Sequence, residues 1–290
     1  MPFGIFYFIS LLNRFQKKYL GILVRNFEDA FYNTNVNLPT FNNEPSYSYM
    51  EQYVTMLEEE KMLQVDKFLK DSGLNDTTLT AEETAALEKF RNGEVRFEEW
   101  KIGDLFDIQK GKRLTKENIK PGKINFLGAI SDNNGIRETI DAPFTWAPNC
   151  ISVNYNGSVG CSYYQEQEFF ASDDVNLCYA KEWSLDKYIA LYFCAVFFKY
   201  SDVFNFGFKW SKDKMEESLV KVPVTLNNIP DWGFMQHFIS ALEKIVIRGV
   251  VKYKDKVLNA NHSKNPYSYD NYSIAAEPST SYKGKSITEN

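Results

Sequence analysis

Apolar residues recur at helical spacing in two long stretches of this chain, and at strand-like spacing between them. The first stretch runs from about Tyr47 to Lys70, with Met50, Val54 and Leu57 on one face and, after a break in phase, Met62, Val65 and Leu69. The second runs from about Trp232 to Leu258, where Ile239, Leu242, Val246, Val250, Tyr253 and Val257 follow steps of 3, 4, 4, 3 and 4. Such spacing lines up a narrow apolar seam, the pattern of a helix that meets a partner helix. From Phe97 onwards the pattern breaks into short runs, WKIGDLFDIQKG, INFLGAISDNNG, CISVNYNGSVG and NLCYA, each stopped by Gly, Asn or Asp or soon followed by polar residues. These read as strands and turns. Helical signals resume at about Leu185. A sheet-rich body closed by helices and followed by a long seam helix is an α+β arrangement.

The two helical stretches open with the same words. Asn42, Asn43, Pro45, Met50, Leu57 and Glu58 return 185 residues later as Asn227, Asn228, Pro230, Met235, Leu242 and Glu243. The identities fall where a loop ends in Pro and a helix begins, so they mark a repeated turn-to-helix joint. One repeat unit then spans roughly residues 46 to 230. Residues 1–41 become the tail of an earlier unit, with FYFISLLNRFQKKY from Phe6 corresponding to IALYFCAVFFKYSDVF from Ile189. Residues 3 to 12 are too short an apolar run to span a bilayer and lack a basic start and a cleavage site, so a buried helix is expected there. Thr80 with Glu83 ahead of Ala85, Ala86 and Leu87 forms a capping box for a short linker helix. The tail from Asn259 to Asn290 has hardly any aliphatic residues and is expected to be mobile.

Charge sharpens this picture. Residues 44 to 100 hold 14 acidic and 6 basic side chains, whereas residues 101 to 123 hold 7 basic and 3 acidic ones in a chain of net charge -5. Within the helices, residues 51–71 carry six acids against three bases, and residues 236–258 five bases against two acids. The two helices are charge-matched, and an antiparallel, coiled-coil-like pair is expected. Cys150, Cys161, Cys178 and Cys194 have no metal-ligand spacing, and only His237 and His262 could join them, so reduced core thiols in a cytoplasmic protein are expected.

No catalytic pattern stands out: there is no Gly-rich cofactor loop, no phosphate-cradling lysine loop and no histidine beside a nucleophile. Asp173 and Asp174, adjacent on an expected strand, would point to opposite faces and so read as structural. Three polar loops carry the remaining chemistry. Lys110, Lys112, Arg113, Thr115 and Lys116 crowd around Gly111, where cations and backbone can both reach phosphate. Asn133 and Asn134 make a tight turn, and Asn154, Tyr155 and Asn156 sit on a hairpin; Asn-Gly pairs are also ordinary hairpin chemistry. Lys209, Trp210, Lys212 and Lys214 form a further basic-aromatic group, in which Trp210, like Tyr155, can equally be core. Arg and Lys for phosphate and guanine with Asn for adenine is the equipment of groove readout.

The ordered set FEEWKIGDLFDIQKGKRLTKENI, SDNNGI, VNYNGSVG, FASDDVNLCYAK, KYIALYF and FGFKWSKDKMEESLVKVP resembles the target recognition domain of type I restriction-modification specificity subunits. The resemblance covers residues 96–258, and the repeat at 38–72 fits the central helices of those subunits. It implies a subunit without catalytic activity or cofactor, which reads half of a split sequence in double-stranded DNA and docks DNA methyltransferase (modification) subunits and a restriction/translocase subunit. It also implies a division into residues 1–41 (remnant of a first recognition domain), 42–95 (central helical region and linker helix), 96–225 (recognition domain), 226–258 (C-terminal helical region) and 259–290 (tail). The family's subunits carry two recognition domains, whereas one is present here in full. A homodimer, a silent cassette, or a fragment of a longer or fused restriction-methylation chain all stay open.

Overall fold

The computed structural model describes residues 4–16, 27–205 and 207–264. The chain divides into two compact units, one built from the segments up to Thr77 and from Ile247 onwards, the other from Thr78 to Val246.

The first unit contains α1 (Gly4–Arg14), α2 (Phe27–Tyr32), a short hairpin of β1 (Thr40–Phe41) and β2 (Glu44–Pro45), α3 (Tyr47–Asp71), and the second half of α8 (Trp232–Lys264). The α1 helix packs on α3, with Tyr7 edge-on to Tyr53 at 6.0 Å. It is not the buried helix expected: Ile5, Phe6, Ile9 and Leu12 are 38–49% exposed. Towards α8, Arg248 donates to the Thr77 carbonyl at 2.6 Å, Lys254 to Asp66 at 2.6 Å and Tyr253 to Glu58 at 2.9 Å. These partners lie on α3, at Glu58 and Asp66, and in the segment just beyond its end, at Thr77. These contacts are polar. Of the apolar positions expected in the seam, Leu57, Val250 and Tyr253 are 38%, 45% and 54% exposed, whereas Met50 and Leu69 are buried. The α8 helix continues to Lys264; the rest of the expected tail lies outside the described residues.

The second unit begins with α4 (Ala81–Arg91), whose capping box forms as expected: the Thr80 hydroxyl accepts the Glu83 N–H at 3.2 Å and the Glu83 carboxylate accepts the Thr80 N–H at 2.8 Å. Then come β3 (Arg96–Lys101), the one-turn α5 (Ile102–Leu105), β4 (Phe106–Lys110), β5 (Pro121–Leu127), β6 (Ile136–Ile140), β7 (Cys150–Asn154), β8 (Ser162–Gln165), β9 (Phe169–Ala171) and β10 (Val175–Ala180). The unit closes with α6 (Lys187–Phe198), α7 (Lys212–Glu217), β11 (Leu219–Val224) and the first half of α8.

Three sheets result. The largest is antiparallel in the order β4-β10-β7-β8; a second has the order β6-β5-β9, in which β5 and β9 run parallel; and β11 pairs with β3. The α6 helix starts where Asp186 accepts the Ile189 N–H at 2.8 Å. It buries Ile189, Phe193 and Phe197 against Phe106, Ile151 and Val153. A second apolar layer, Cys150 of β7 and Val175 and Leu177 of β10 with Leu127 of β5 and Phe169 of β9, joins the large sheet to the β6-β5-β9 sheet. Burial pushes the Cys150 and Cys194 thiols up to about 12, so neither is a nucleophile at neutral pH.

The sequence repeat has a structural counterpart. The Ser46 N–H returns to the Pro39 carbonyl at 2.8 Å, and the Asp231 N–H to the Pro223 carbonyl at 2.8 Å. Ser46 and Asp231 then accept the N–H groups of Met50 and Met235, both wholly buried. Asn42, Asn43 and Asn228 take positive φ in the tight loops between, a conformation Asn tolerates better than most residues. The second loop is one residue longer.

Candidate nucleic-acid interface

Two of the predicted loops leave from one end of the large sheet, whereas the Asn133–Asn134 turn lies against Tyr164 and Gln165 of β8, towards its other end. Lys110 ends β4 opposite Asn176, and Asn154 ends β7 opposite Val175, so the loops after β4 and β7 leave from the same edge as the turn before β10. The Gly111 N–H donates to Val175 and the Lys112 N–H to Ala171, both at 2.9 Å, which locks the start of the basic loop against that turn. A Cβ on Gly111 would lie 2.0 Å from the Ser172 carbonyl oxygen, a distance no side chain can occupy. Glycine is required here for close approach.

Beyond this lock, Lys112, Arg113, Thr115 and Lys116 are exposed. Thr115 accepts the Asn118 amide at 3.1 Å, which shapes the loop's one turn of 3-10 helix. The lysine ammonium groups lie against aromatic rings: Lys110 is 5.2 Å from the Tyr155 centroid, Lys112 is 4.7 Å from Phe144, and Lys214 is 3.6 Å from Phe208. Among the described residues none of these three lies within ion-pair distance of a carboxylate. Their charge is therefore held in place but not neutralised.

The asparagines are engaged inward. Asn133 and Asn134 both adopt positive φ; the Asn133 amide donates to the Ile136 carbonyl at 2.7 Å, and that of Asn134 to the Tyr164 carbonyl at 3.3 Å. Asn154 is 2% exposed and donates to the Ile130 carbonyl at 2.8 Å, so it cannot meet a base edge as expected; it ties β7 to the turn after β5. The Tyr155 hydroxyl donates to the Asp173 carbonyl at 2.6 Å, and the Asn156 amide to the Asp174 carboxylate at 2.7 Å. Asp173 and Asp174 occupy a turn, not a strand, and act there as acceptors that hold the neighbouring hairpin.

The last group divides. Trp210 is fully buried: its indole N–H donates to the Ser218 hydroxyl at 2.9 Å and its ring stacks on Tyr200 at 4.4 Å. Its place is in the core, because a large ring at the end of a short loop gains more by packing than by exposure. Lys209 is exposed and its carbonyl accepts the Lys214 ammonium at 3.2 Å; Lys212 pairs with Glu216 at 3.5 Å. Phe144 and Phe208 were not legible as site residues in the sequence. Neither belongs to a polar motif, and only the fold brings Phe144 beside Lys112.

Residues 94–253 match the family described as the type I restriction modification DNA specificity domain. The chain belongs to this family. Among curated proteins this specificity-domain chain is 29% identical over 257 residues to the specificity subunit of a type II restriction enzyme from Heyndrickxia coagulans, an alignment covering 84% of this chain and 72% of that one. Among solved structures it is similar to a type I restriction-modification S subunit from M. genitalium (16% identity, TM-score 0.41) and to the HsdS subunit from Thermoanaerobacter tengcongensis (14%, TM-score 0.42). The similarity covers 73% and 76% of this chain, but only 56% and 57% of those two. No described helix of the specificity-domain chain is long and apolar enough to cross a membrane.

Proposed function

We propose that this chain is a non-catalytic specificity subunit that reads one half of a split sequence in double-stranded DNA. The observation that carries the reading is the set of lysines held on aromatic rings, without carboxylate partners, at the sheet end that also presents Arg113 and Lys116. A phosphate backbone can take up those ammonium groups with no ion pair to break first. Lys110, Lys112, Lys116, Lys209 and Lys214 track the backbone in this reading, and Arg113 reaches a base edge. Asn154 and Trp210 support the loops from below.

The reaction belongs to partner subunits. The apolar row Leu242, Val246 and Val250 on α8, which remains exposed, is the surface this reading assigns to DNA methyltransferase subunits, with the polar α3–α8 contacts setting the spacing between half-sites. The alternative arrangement, in which two copies of the chain supply the two half-sites, rests on the repeated turn-to-helix joint. Co-expression with a cognate methyltransferase subunit, followed by mapping of methylated genomic sites, tests the reading. Methylation confined to a split motif, one half of which changes when residues 100–215 are exchanged, supports it. Methylation indifferent to that exchange overturns it.

A further inference from the structure

Phe208 stands at the outer end of a column of rings. Trp210, wholly buried, stacks on Tyr200 at 4.4 Å and lies parallel to Phe204 at 5.8 Å; Phe204 in turn stacks on Phe208 at 5.0 Å with 18° between their planes. Each step moves outward, from 0% exposure at Trp210 through 8% at Phe204 to 50% at Phe208. The turn that carries Phe208 is closed by reciprocal backbone hydrogen bonds between Asn205 and Phe208, both 3.0 Å, and the Asn205 side chain accepts the Gly207 and Phe208 N–H groups at 2.9 and 3.1 Å. A half-exposed phenylalanine standing singly on a surface is ordinary. This one is held from beneath by stacked rings and from the side by its own turn.

Two further observations bear on what it meets. The Lys214 ammonium lies 3.6 Å from its centroid, so a cation and an apolar face are presented together. The turn is also continuous with the basic loops: the Trp210 N–H donates to the Tyr155 carbonyl, and the Tyr155 ring carries Lys110.

We propose that Phe208 is an apolar wedge that presses on a base step of the bound duplex, while Lys214 leaves its ring for the adjacent phosphate. This rests on the DNA-reading proposal above and adds a mode of reading to it. A rigid aromatic ring beside a cation suits a step whose bases can be partly unstacked, so the wedge would confer preference through deformability and not through hydrogen bonds. Pyrimidine–purine steps unstack most readily and are the expected partner.

The test uses the full chain. A randomised duplex pool is selected for binding, and duplexes of the recovered sequence are made with 2-aminopurine at successive positions. The wild-type chain is expected to raise the probe's emission at one step. Phe208→Ala is expected to abolish that rise and weaken binding roughly tenfold, as loss of a stacking ring does. Phe208→Trp, which keeps a ring on the column, is expected to retain the binding. Circular dichroism of each variant checks that the fold is unchanged. Phe208→Ala binding within twofold of wild type with an unaltered emission profile would overturn the wedge and leave the DNA-reading proposal standing. Failure of the wild-type chain to enrich any sequence or bind the pool would overturn both.

Discussion

The Glu83 carboxylate accepts the Ser240 hydroxyl at 2.6 Å, across 157 positions of sequence. Its other oxygen receives the Lys244 ammonium at 2.9 Å and the Thr80 N–H at 2.8 Å. A residue that caps the start of α4 therefore also fastens that helix to α8. Burial pushes the Glu83 carboxyl up, but the hydrogen bonds from Lys244, Ser240 and Thr80 outweigh this and hold it below its usual 4.5. A carboxylate lowered on folding adds stability that is present above its unfolded value and is lost as pH falls through its folded value. Glu83→Gln is expected to cost about 1.5–3 kcal/mol at neutral pH, the range for hydrogen bonds to a charged group. Urea unfolding at pH 7 and again below 4.5 checks this: the gap between wild type and variant should shrink at the lower pH.

Gly111→Ala is expected to disrupt the site with little effect on the core, because the added carbon would lie 2.0 Å from the Ser172 carbonyl and the basic loop must lift away. Hydrogen exchange reads this directly. The Lys112 amide, bonded to Ala171 at 2.9 Å, should lose its protection while amides of β7 and β10 keep theirs.

Lys112→Ala and Arg113→Ala are expected to fail differently. Lys112 rests on Phe144 and is read here as a phosphate contact, so its loss should weaken binding to all duplexes alike and reduce the salt slope by about 0.9. Arg113 is read as a base contact, and its loss should cost about 1–3 kcal/mol and relax preference at one position. Affinities measured across a salt series on selected and scrambled duplexes separate the two.

Trp210→Ala is expected to destabilise the sheet-rich unit by about 3–5 kcal/mol, the cost of emptying a fully buried aromatic site. Trp210→Phe, which keeps a ring on the Tyr200 stack, should recover most of it in thermal unfolding. A Trp210→Ala chain with unchanged stability and reduced DNA affinity would mean that the indole faces the nucleic acid after all.

Local signals in the sequence carried further than its long-range ones. The Thr80–Glu83 box, the strands of INFL, CISVN and NLCYA and the repeated joint before Met50 and Met235 all rest on neighbours a few residues apart, and all form. What stayed hidden depends on distant partners. Asn154 and Trp210 have the chemistry of contact residues, yet the fold places Ile130 over one and Tyr200 and Ser218 around the other. Asp173 and Asp174 were legible as structural, but the turn that holds them was not. Phe144 and Phe208 carried no signal, because an aromatic residue becomes a platform only when a lysine from elsewhere in the chain arrives on it. The apolar seam of α8 was legible as a seam; its exposure was not, since periodicity reports that a face wants covering and not what covers it.

The paired joints at Pro39–Ser46 and Pro223–Asp231 have a consequence for how such a chain can change. A segment bounded by the same clasp on either side can be excised, duplicated or traded for another without remodelling the ends that receive it. Novelty in what is recognised could thus arise by wholesale exchange between like seams, faster than by altering one loop residue at a time.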